Sequence, residues 1–362
     1  MRTCTRCIMN DSADPTITFD ENGYCNYCTD ALAKINTTAY FPNEEGEKRL
    51  HALLDQVKKS GEGKPYDCIM GISGGLDSAY LAYLGYTWGL RILAVHVDDG
   101  YDTDVSKENV RKLVEKAGIK MITVTPDAEQ YNALLLAYMR AGVPNLAVPQ
   151  DNILLKCLFD AVKEYKIPYF LSGDNFALEC VLQRGNTYQS MDVVNIRDIH
   201  KRFGTQPINK LKFISAYEKY YSTRVAGMHL EKPLNYIDYN RERAFRELKE
   251  FCGFEYYGRK HLENKFTAFL QLRWLPEKFG VDKRLSHLSS MIVSGQMTRE
   301  EALAEAARPI CEGVPMDEYV AEIKANMHLS DAEFEEIMRA PTHQHTEYKT
   351  DRLDAALRSV LH

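Results

Sequence analysis

Four short apolar runs mark the first half of the chain, at 66–72, 91–97 (R-I-L-A-V-H-V), 119–125 and 168–172 (P-Y-F-L-S). Each predicts a strand, and the stretches between, near 77–88, 103–117 and 151–166, predict helices. Strands separated by helices of this length form βαβ units, so the pattern predicts an α/β fold on a parallel sheet. A helix near 47–59 and a Gly-Glu-Gly-Lys-Pro linker at 61–65 precede it. Segment 125–150 interrupts the alternation with Gly142, Pro144 and Pro149, and reads as a lid or substrate loop. From about 208 strand signals fade and the chain becomes Tyr-rich and helical. From Pro341 through H-Q-H-T-E a turn leads to a short amphipathic end. There are no internal repeats or low-complexity tracts. The expected division is 1–40, 60–205, 206–340 as a helical substrate or partner region, and 341–362 as a tail.

Polar clusters fall at three strand ends: Ser73-Gly-Gly, Asp98-Asp99-Gly100 and Ser172-Gly-Asp-Asn175. Ligands of open α/β sheets sit beyond the carboxyl ends of the strands, so the three loops predict one shared site.

At 362 residues, 45% hydrophobic and 27% charged, the chain can hold two domains and a sizeable core. Its formal charge of −6 argues against a nucleic-acid partner with a large footprint. Residues 241–284 run against that balance, with eleven Lys/Arg and seven Asp/Glu. No apolar run approaches a membrane span, and Met1-Arg-Thr-Cys does not resemble a signal peptide. Of nine cysteines four lie in the first 28 residues, a distribution that suits a reducing, cytoplasmic compartment.

Those four form two knuckles, Cys4-x-x-Cys7 and Cys25-x-x-Cys28. Each can offer two thiolates to one tetrahedral ion, and together they fill a four-ligand shell with no open position. A structural zinc ribbon is expected, since so short a segment buries little apolar surface and the metal would supply much of its folding energy. Two disulfides, an Fe–S cluster or redox-active pairs are the alternatives.

The strand at 66–72 runs directly into Gly71-Ile-Ser73-Gly74-Gly75-Leu-Asp77-Ser78. Gly74 and Gly75 can take the positive φ values that turn successive N–H groups toward one anion, Ser73 and Ser78 add hydroxyls, and a helix start adds its dipole. This is a cradle for pyrophosphate, with Asp77 suited to holding a bridging Mg²⁺. No Gly-Lys-Ser/Thr follows, so it is not a Walker A loop. The S-G-G-L-D-S run resembles the PP-loop of ATP pyrophosphatases, which split ATP into AMP and pyrophosphate. That resemblance implies an adenine nucleotide alpha hydrolase-like domain over 60–205, with Gly71, Ser73, Gly74, Gly75, Asp77 and Ser78 on ATP.

Other positions fill in the site. Asp98 ends the second strand where such enzymes hold the nucleoside, and Gly173 allows close approach at the fourth. Glu179 is the candidate second Mg²⁺ ligand. Lys156, on the helix before the Ser172 loop, resembles a basic residue that faces ATP phosphates in several PP-loop enzymes. Asp77, Lys156 and Lys260 are thus the candidate catalytic residues. Clusters at 257–266 and 279–287 offer His261, Glu263, Lys265, Lys283 and Arg284 for an anionic substrate. Cys157 and Cys180 flank the site, and a lone Cys on an apolar helix is more often a small buried hydrophobe than a reactive thiol.

Taken together the chain resembles the bacterial N-acetyl sugar amidotransferases of surface-polysaccharide and flagellin-sugar biosynthesis. The likeness rests on C-T-R-C-I-M, C-N-Y-C, G-I-S-G-G-L-D-S, S-G-D-N-F-A-L-E, Y-G-R-K-H-L-E-N-K-F-T, L-P-E-K-F-G-V-D-K-R and S-G-Q-M-T-R-E-E-A-L. Arg259 and Leu262 depart from the family's usual Gly and aromatic. The resemblance implies ATP, Mg²⁺ and structural Zn²⁺ as cofactors. It also implies an acetamido sugar, expected as nucleotide-linked, whose amide oxygen is adenylated and replaced by ammonia to give an acetamidino group. Residue 2 is Arg and no convincing Cys…His-x-Glu set is present, so the ammonia is expected from a separate glutaminase subunit. The rival readings are a PP-loop sulfurtransferase thiolating a tRNA or nucleobase oxygen, and a scaffold that only senses ATP.

Overall fold

The computed structural model describes residues 1–12 and 14–351. Two helices, α1 (Asn26–Leu32) and α2 (Glu44–Ser60), lead into the sheet. There follow β1 (Cys68–Gly71), α3 (Leu76–Thr87), β2 (Ile92–Val97), α4 (Asp104–Ala117), β3 (Lys120–Val124), α5 (Ala128–Ala141), α6 (Val148–Tyr165) and β4 (Tyr169–Leu171). Next come α7 (Phe176–Glu179), α8 (Val193–Phe203), α9 (Ala216–Arg224), β5 (His229–Glu231) and α10 (Arg241–Cys252). The rest is helical: α11 (Lys265–Phe269), a π-helical turn (Leu270–Trp274), α12 (Leu275–Phe279), α13 (Arg284–Val293), α14 (Arg299–Ala306), α15 (Met316–Asn326) and α16 (Asp331–Arg339).

The five strands are all parallel, in the order β3-β2-β1-β4-β5. The chain moves outward from β1 to β3 and then returns to lay β4 against the other side of β1. That reversal opens a crevice at the carboxyl ends of β1 and β4. Strand alternation separates two layers: Cys68 and Met70 of β1 pack with α3 and α4, while Ile69 packs with Leu158, Phe159 and Val162 of α6. A further core joins α5 and α8 to the C-terminal helices around Trp274, Phe266 and Phe269. The fold is therefore the expected α/β parallel sheet, with an N-terminal four-cysteine cluster and a helical C-terminal region.

Three expectations change. Segment 125–150 is not a loop, because it holds all of α5 and the first turn of α6. Gly142, with φ 65, is the left-handed C-cap of α5, and Pro149 sits in the first turn of α6. β5 lies in the region expected to be helical and completes the sheet. No packing border separates 205 from 206, since α5 and α8 share a core with the C-terminal helices. The amphipathic end expected after the Pro341 turn falls mostly outside the described residues. Among the described residues no helix is long and apolar enough to cross a membrane.

Candidate active site

The crevice is a chamber of about 450 Å³, lined by Gly71, Ser73, Gly75, Asp77 and Ser78 after β1 and by Gly173 after β4. The turn between β1 and α3 is tight because it must be. Gly74 has φ 81, and a Cβ there would lie 2.6 Å from the Ser106 carbonyl oxygen of α4. Gly173 is also closely packed, its missing Cβ falling 3.0 Å from the Ser78 nitrogen. Within the turn the Ser78 hydroxyl lies 3.1 Å from that of Ser73, and the Leu76 N–H donates to the Tyr257 hydroxyl at 2.8 Å. Gly74→Ala is expected to cost about 1–3 kcal/mol of stability, from the left-handed backbone and the clash together. Denaturant midpoints and an ATP titration of the variant check this, and unchanged values for both refute it.

Asp77 and Glu179 converge on one cation. The Lys260 ammonium donates to Asp77 Oδ2, and it lies 3.0 Å from Glu179 Oε1. Asp77 Oδ1 accepts from the buried Tyr239 hydroxyl. Burial works against the Lys260 charge, but the two carboxylates outweigh it and hold the ammonium well above its usual range. Burial also raises Glu179 despite Lys260. The same effect pushes Glu263 up to about 7 and Lys283 down to about 8. Glu263 hangs over the turn, its Oε1 2.6 Å from where a Gly75 Cβ would stand, and its Oε2 is buried beside Tyr257.

Seven carboxylates line the chamber (Asp77, Asp99, Asp102, Asp151, Asp174, Glu179 and Glu263), against Lys260 and Lys283. A polyphosphate entering such a wall would need divalent cations with it; the carboxylate-rich donor set fits magnesium, and Asp77 and Glu179 are the residues that could hold it.

The expected residues divide sharply. Lys260, His261, Glu263 and Lys283 reach the chamber with Gly71, Ser73, Gly75, Asp77, Ser78, Gly173 and Glu179, while Gly74, packed against Ser106, is not on its lining. Lys156 does not. It faces away from the chamber, bound to Asp160 at 2.7 Å and to Glu218 of α9 at 2.9 Å. Lys265 is taken by Glu322 at 2.6 Å, and Arg284 forks onto Asp282 at 2.7 Å and the carbonyls of Ala306 and Arg308. Asp98 closes its own turn by accepting the Gly100 N–H, and the neighbouring Asp99 faces the chamber instead. Cys157 and Cys180 are absent from the lining, and burial raises their thiols to about 11 and 12. Asp99 belongs to the Asp98-Asp99-Gly100 cluster expected at the site, and Asn264 and Thr267 to the 257–267 run, whereas Tyr239, Gln150 and Gln271 carried no signal in the sequence.

The four N-terminal sulfurs are buried and lie within 4.8 Å of one another. Cys4 and Cys28 are 3.8 Å apart, and Cys7 and Cys25 are 3.6 Å apart. A tetrahedron with Zn–S bonds of about 2.3 Å has edges of about 3.8 Å, so the cluster fits zinc. Backbone N–H groups of Arg6, Cys7 and Cys25 point at the Cys4 sulfur, at 3.2–3.4 Å, as thiolate ligands require.

These features put a tight glycine turn and a cluster of carboxylates at the carboxyl edge of a parallel sheet. Residues 263–360 match the family described as LPS biosynthesis protein WbpG-like, C-terminal domain. No curated protein matches the chain. Among solved structures it is similar to NMN synthetase from Francisella tularensis, with 13% identity over 79% of this chain and 97% of that one, at a TM-score of 0.37. It is also similar to the U34-tRNA thiolase NcsA from Methanococcus maripaludis with its [4Fe-4S] cluster, with 16% identity over 87% and 92%, at 0.35. A third is the NH3-dependent NAD synthetase from Campylobacter jejuni subsp. jejuni, with 16% identity over 70% and 97%, at 0.31. Likenesses this distant carry no argument about the reaction.

Proposed function

We propose that the protein is an ATP-dependent amidotransferase that converts an acetamido group on a sugar of surface-polysaccharide synthesis into an acetamidino group. One observation carries the reading: the stretch similar to the WbpG-like domain supplies Glu263, Asn264, Thr267, Gln271 and Lys283 to the chamber formed over Ser73–Ser78. A pyrophosphate-binding turn and a polysaccharide-biosynthesis segment therefore enclose one space.

The chemistry follows from what an amide lacks, a leaving group. Its oxygen attacks the α-phosphorus of ATP and pyrophosphate departs. Ammonia then adds to the activated carbon, a proton is lost, and AMP leaves with the former amide oxygen. Ser73, Ser78 and the turn's N–H groups hold the departing pyrophosphate, and Lys260 neutralises charge beside it. Magnesium, when bound at Asp77 and Glu179, supplies further charge neutralisation on the phosphates. Glu263, raised by burial to about 7, is suited to take the proton from the incoming amine. Ammonia comes from a separate glutaminase subunit in this reading.

The test supplies ATP, ammonium and a panel of free and nucleotide-linked acetamido sugars, with products read by mass spectrometry. AMP, pyrophosphate and a sugar lighter by the difference between O and NH are expected. AMP formation only with a sulfide or persulfide donor would instead make the protein a thiolase. Glutamine serving as well as ammonium with the purified chain would remove the need for a partner.

A further inference from the structure

Part of the chamber wall differs in chemistry from the pyrophosphate turn and its acidic cluster. Partly buried Asp99 accepts the Tyr131 hydroxyl at 3.0 Å, Gln150 Nε2 at 2.7 Å and Asn264 Nδ2 at 3.1 Å, as well as the Tyr101 N–H. Gln150 Oε1 in turn accepts the Thr267 hydroxyl at 3.2 Å. These bonds fix which end of each carboxamide faces which neighbour. They occupy the acceptor positions of Asp99 without neutralising it, so the wall presents neutral polar groups around one carboxylate.

Asn264, Thr267 and Gln271 are spaced three and four residues apart and all line the chamber, as one face of a continuous helix does. Between α11 and α12 that helix passes through the π-helical turn Leu270–Trp274, a local irregularity of the kind that recurs at functional sites. The turn carries Gln271, a residue 9% exposed overall that lines the chamber and whose side chain makes no hydrogen bond among the described residues. Its carboxamide, uncommitted to protein partners and open to the chamber, is available to pair with a ligand's polar groups. Gln271 offers two donors and an acceptor, and Gln150 and Thr267 retain spare capacity beside it.

We propose that this wall is the subsite for the uncharged ring of the second substrate, a polyol carrying an acetamido group, and that any phosphate on that substrate stays outside it. The proposal rests on the amidotransferase reading for the identity of the ring. Hydroxyl and amide groups donate and accept at once, which carboxamides and a threonine hydroxyl match and a cluster of cations does not. No lysine or arginine stands among these side chains, so a phosphate placed here would face only Asp99 and neutral groups.

The experiment uses the full chain with Mg²⁺ and a non-hydrolysable ATP analogue. Binding of free and UDP-linked N-acetyl hexosamines is measured by calorimetry and saturation-transfer NMR, for the parent, Gln271→Leu and Thr267→Val. Each substitution is expected to weaken sugar binding about tenfold, the value of one good hydrogen bond. Affinity for the ATP analogue should stay within about twofold. Sugar binding indifferent to both substitutions, a parallel loss of nucleotide binding, or no binding by any sugar in the panel overturns the subsite. Sugar binding that the substitutions abolish, without ammonium-dependent AMP formation, keeps the subsite and sinks the amidotransferase reading. Ammonium-dependent amidination that neither substitution affects does the reverse.

Discussion

Lys260→Met is expected to slow pyrophosphate release by about 10²–10³-fold, the usual loss when one preorganised charge donor leaves a transition state. It is also expected to make the melting temperature depend on divalent cations. The Lys260 ammonium is shared by Asp77 and Glu179, and Asp77 has already committed its other oxygen to Tyr239. Side-chain exposures of 13% for Lys260 and 18% for Asp77 leave little water to screen the pair. Without the lysine, two carboxylates face each other, a loss of about 3 kcal/mol by analogy with broken buried pairs. Divalent cation binding then repays part of that loss, so millimolar Mg²⁺ should raise the melting temperature of Lys260→Met well above its effect on the parent. Asp77→Asn is the control: it removes half of the cation site, so the variant should be inactive and its melting temperature insensitive to Mg²⁺. If Lys260→Met releases pyrophosphate at the parental rate, the ammonium is only a neighbour of the chemistry.

The geometry also separates what the amino-acid order discloses from what it hides. β1 to β4 were legible because each is a run of apolar residues flanked by turn formers. β5 was not, since His229-Leu-Glu carries one apolar residue and lies at the sheet's edge. Segment 125–150 was misread because a glycine that ends a helix and a proline that begins one look the same as residues that forbid one. The glycine turn was legible because its residues are contiguous, although only Gly74 takes the expected positive φ, and Gly75, at φ −74, is the extended N-cap of α3. Lys156 and Asp98 failed for a different reason, the direction in which a side chain points. One turn of α6 decides between the chamber and Glu218, and one step beyond β2 decides between Asp98 and Asp99. Of the wall, Asn264 and Thr267 lay within the 257–267 run already singled out, but nothing marked them as lining residues, and Gln150 and Gln271 are neutral side chains with no charge to draw attention to them.

Removing the metal from the cysteine cluster should disable a site that the cluster does not touch. The Ile8 N–H donates to Ser289 of α13, and Arg299, the first residue of α14, donates to the carbonyls of Cys4 and Cys7. α13 in turn fixes the segment after α7, with Ser290 accepting the Val181 N–H at 2.9 Å. Lys283 precedes α13 and Glu179 ends α7, so two chamber residues hang on a helix braced by the knuckles. Structural zinc contributes roughly 10–16 kcal/mol to the folding of small zinc domains, far more than this short segment can gain by burial. Cys25→Ser is therefore expected to bind no zinc, to melt tens of degrees lower at about 2–4 °C per kcal/mol, and to lose most ATP cleavage. Arg299→Met separates the brace from the metal: it should keep one zinc per chain by elemental analysis, yet show weaker sugar-dependent turnover. Full turnover in a zinc-free Cys25→Ser protein would mean that the cluster serves another surface, and that α13 holds Lys283 and Glu179 in place without it.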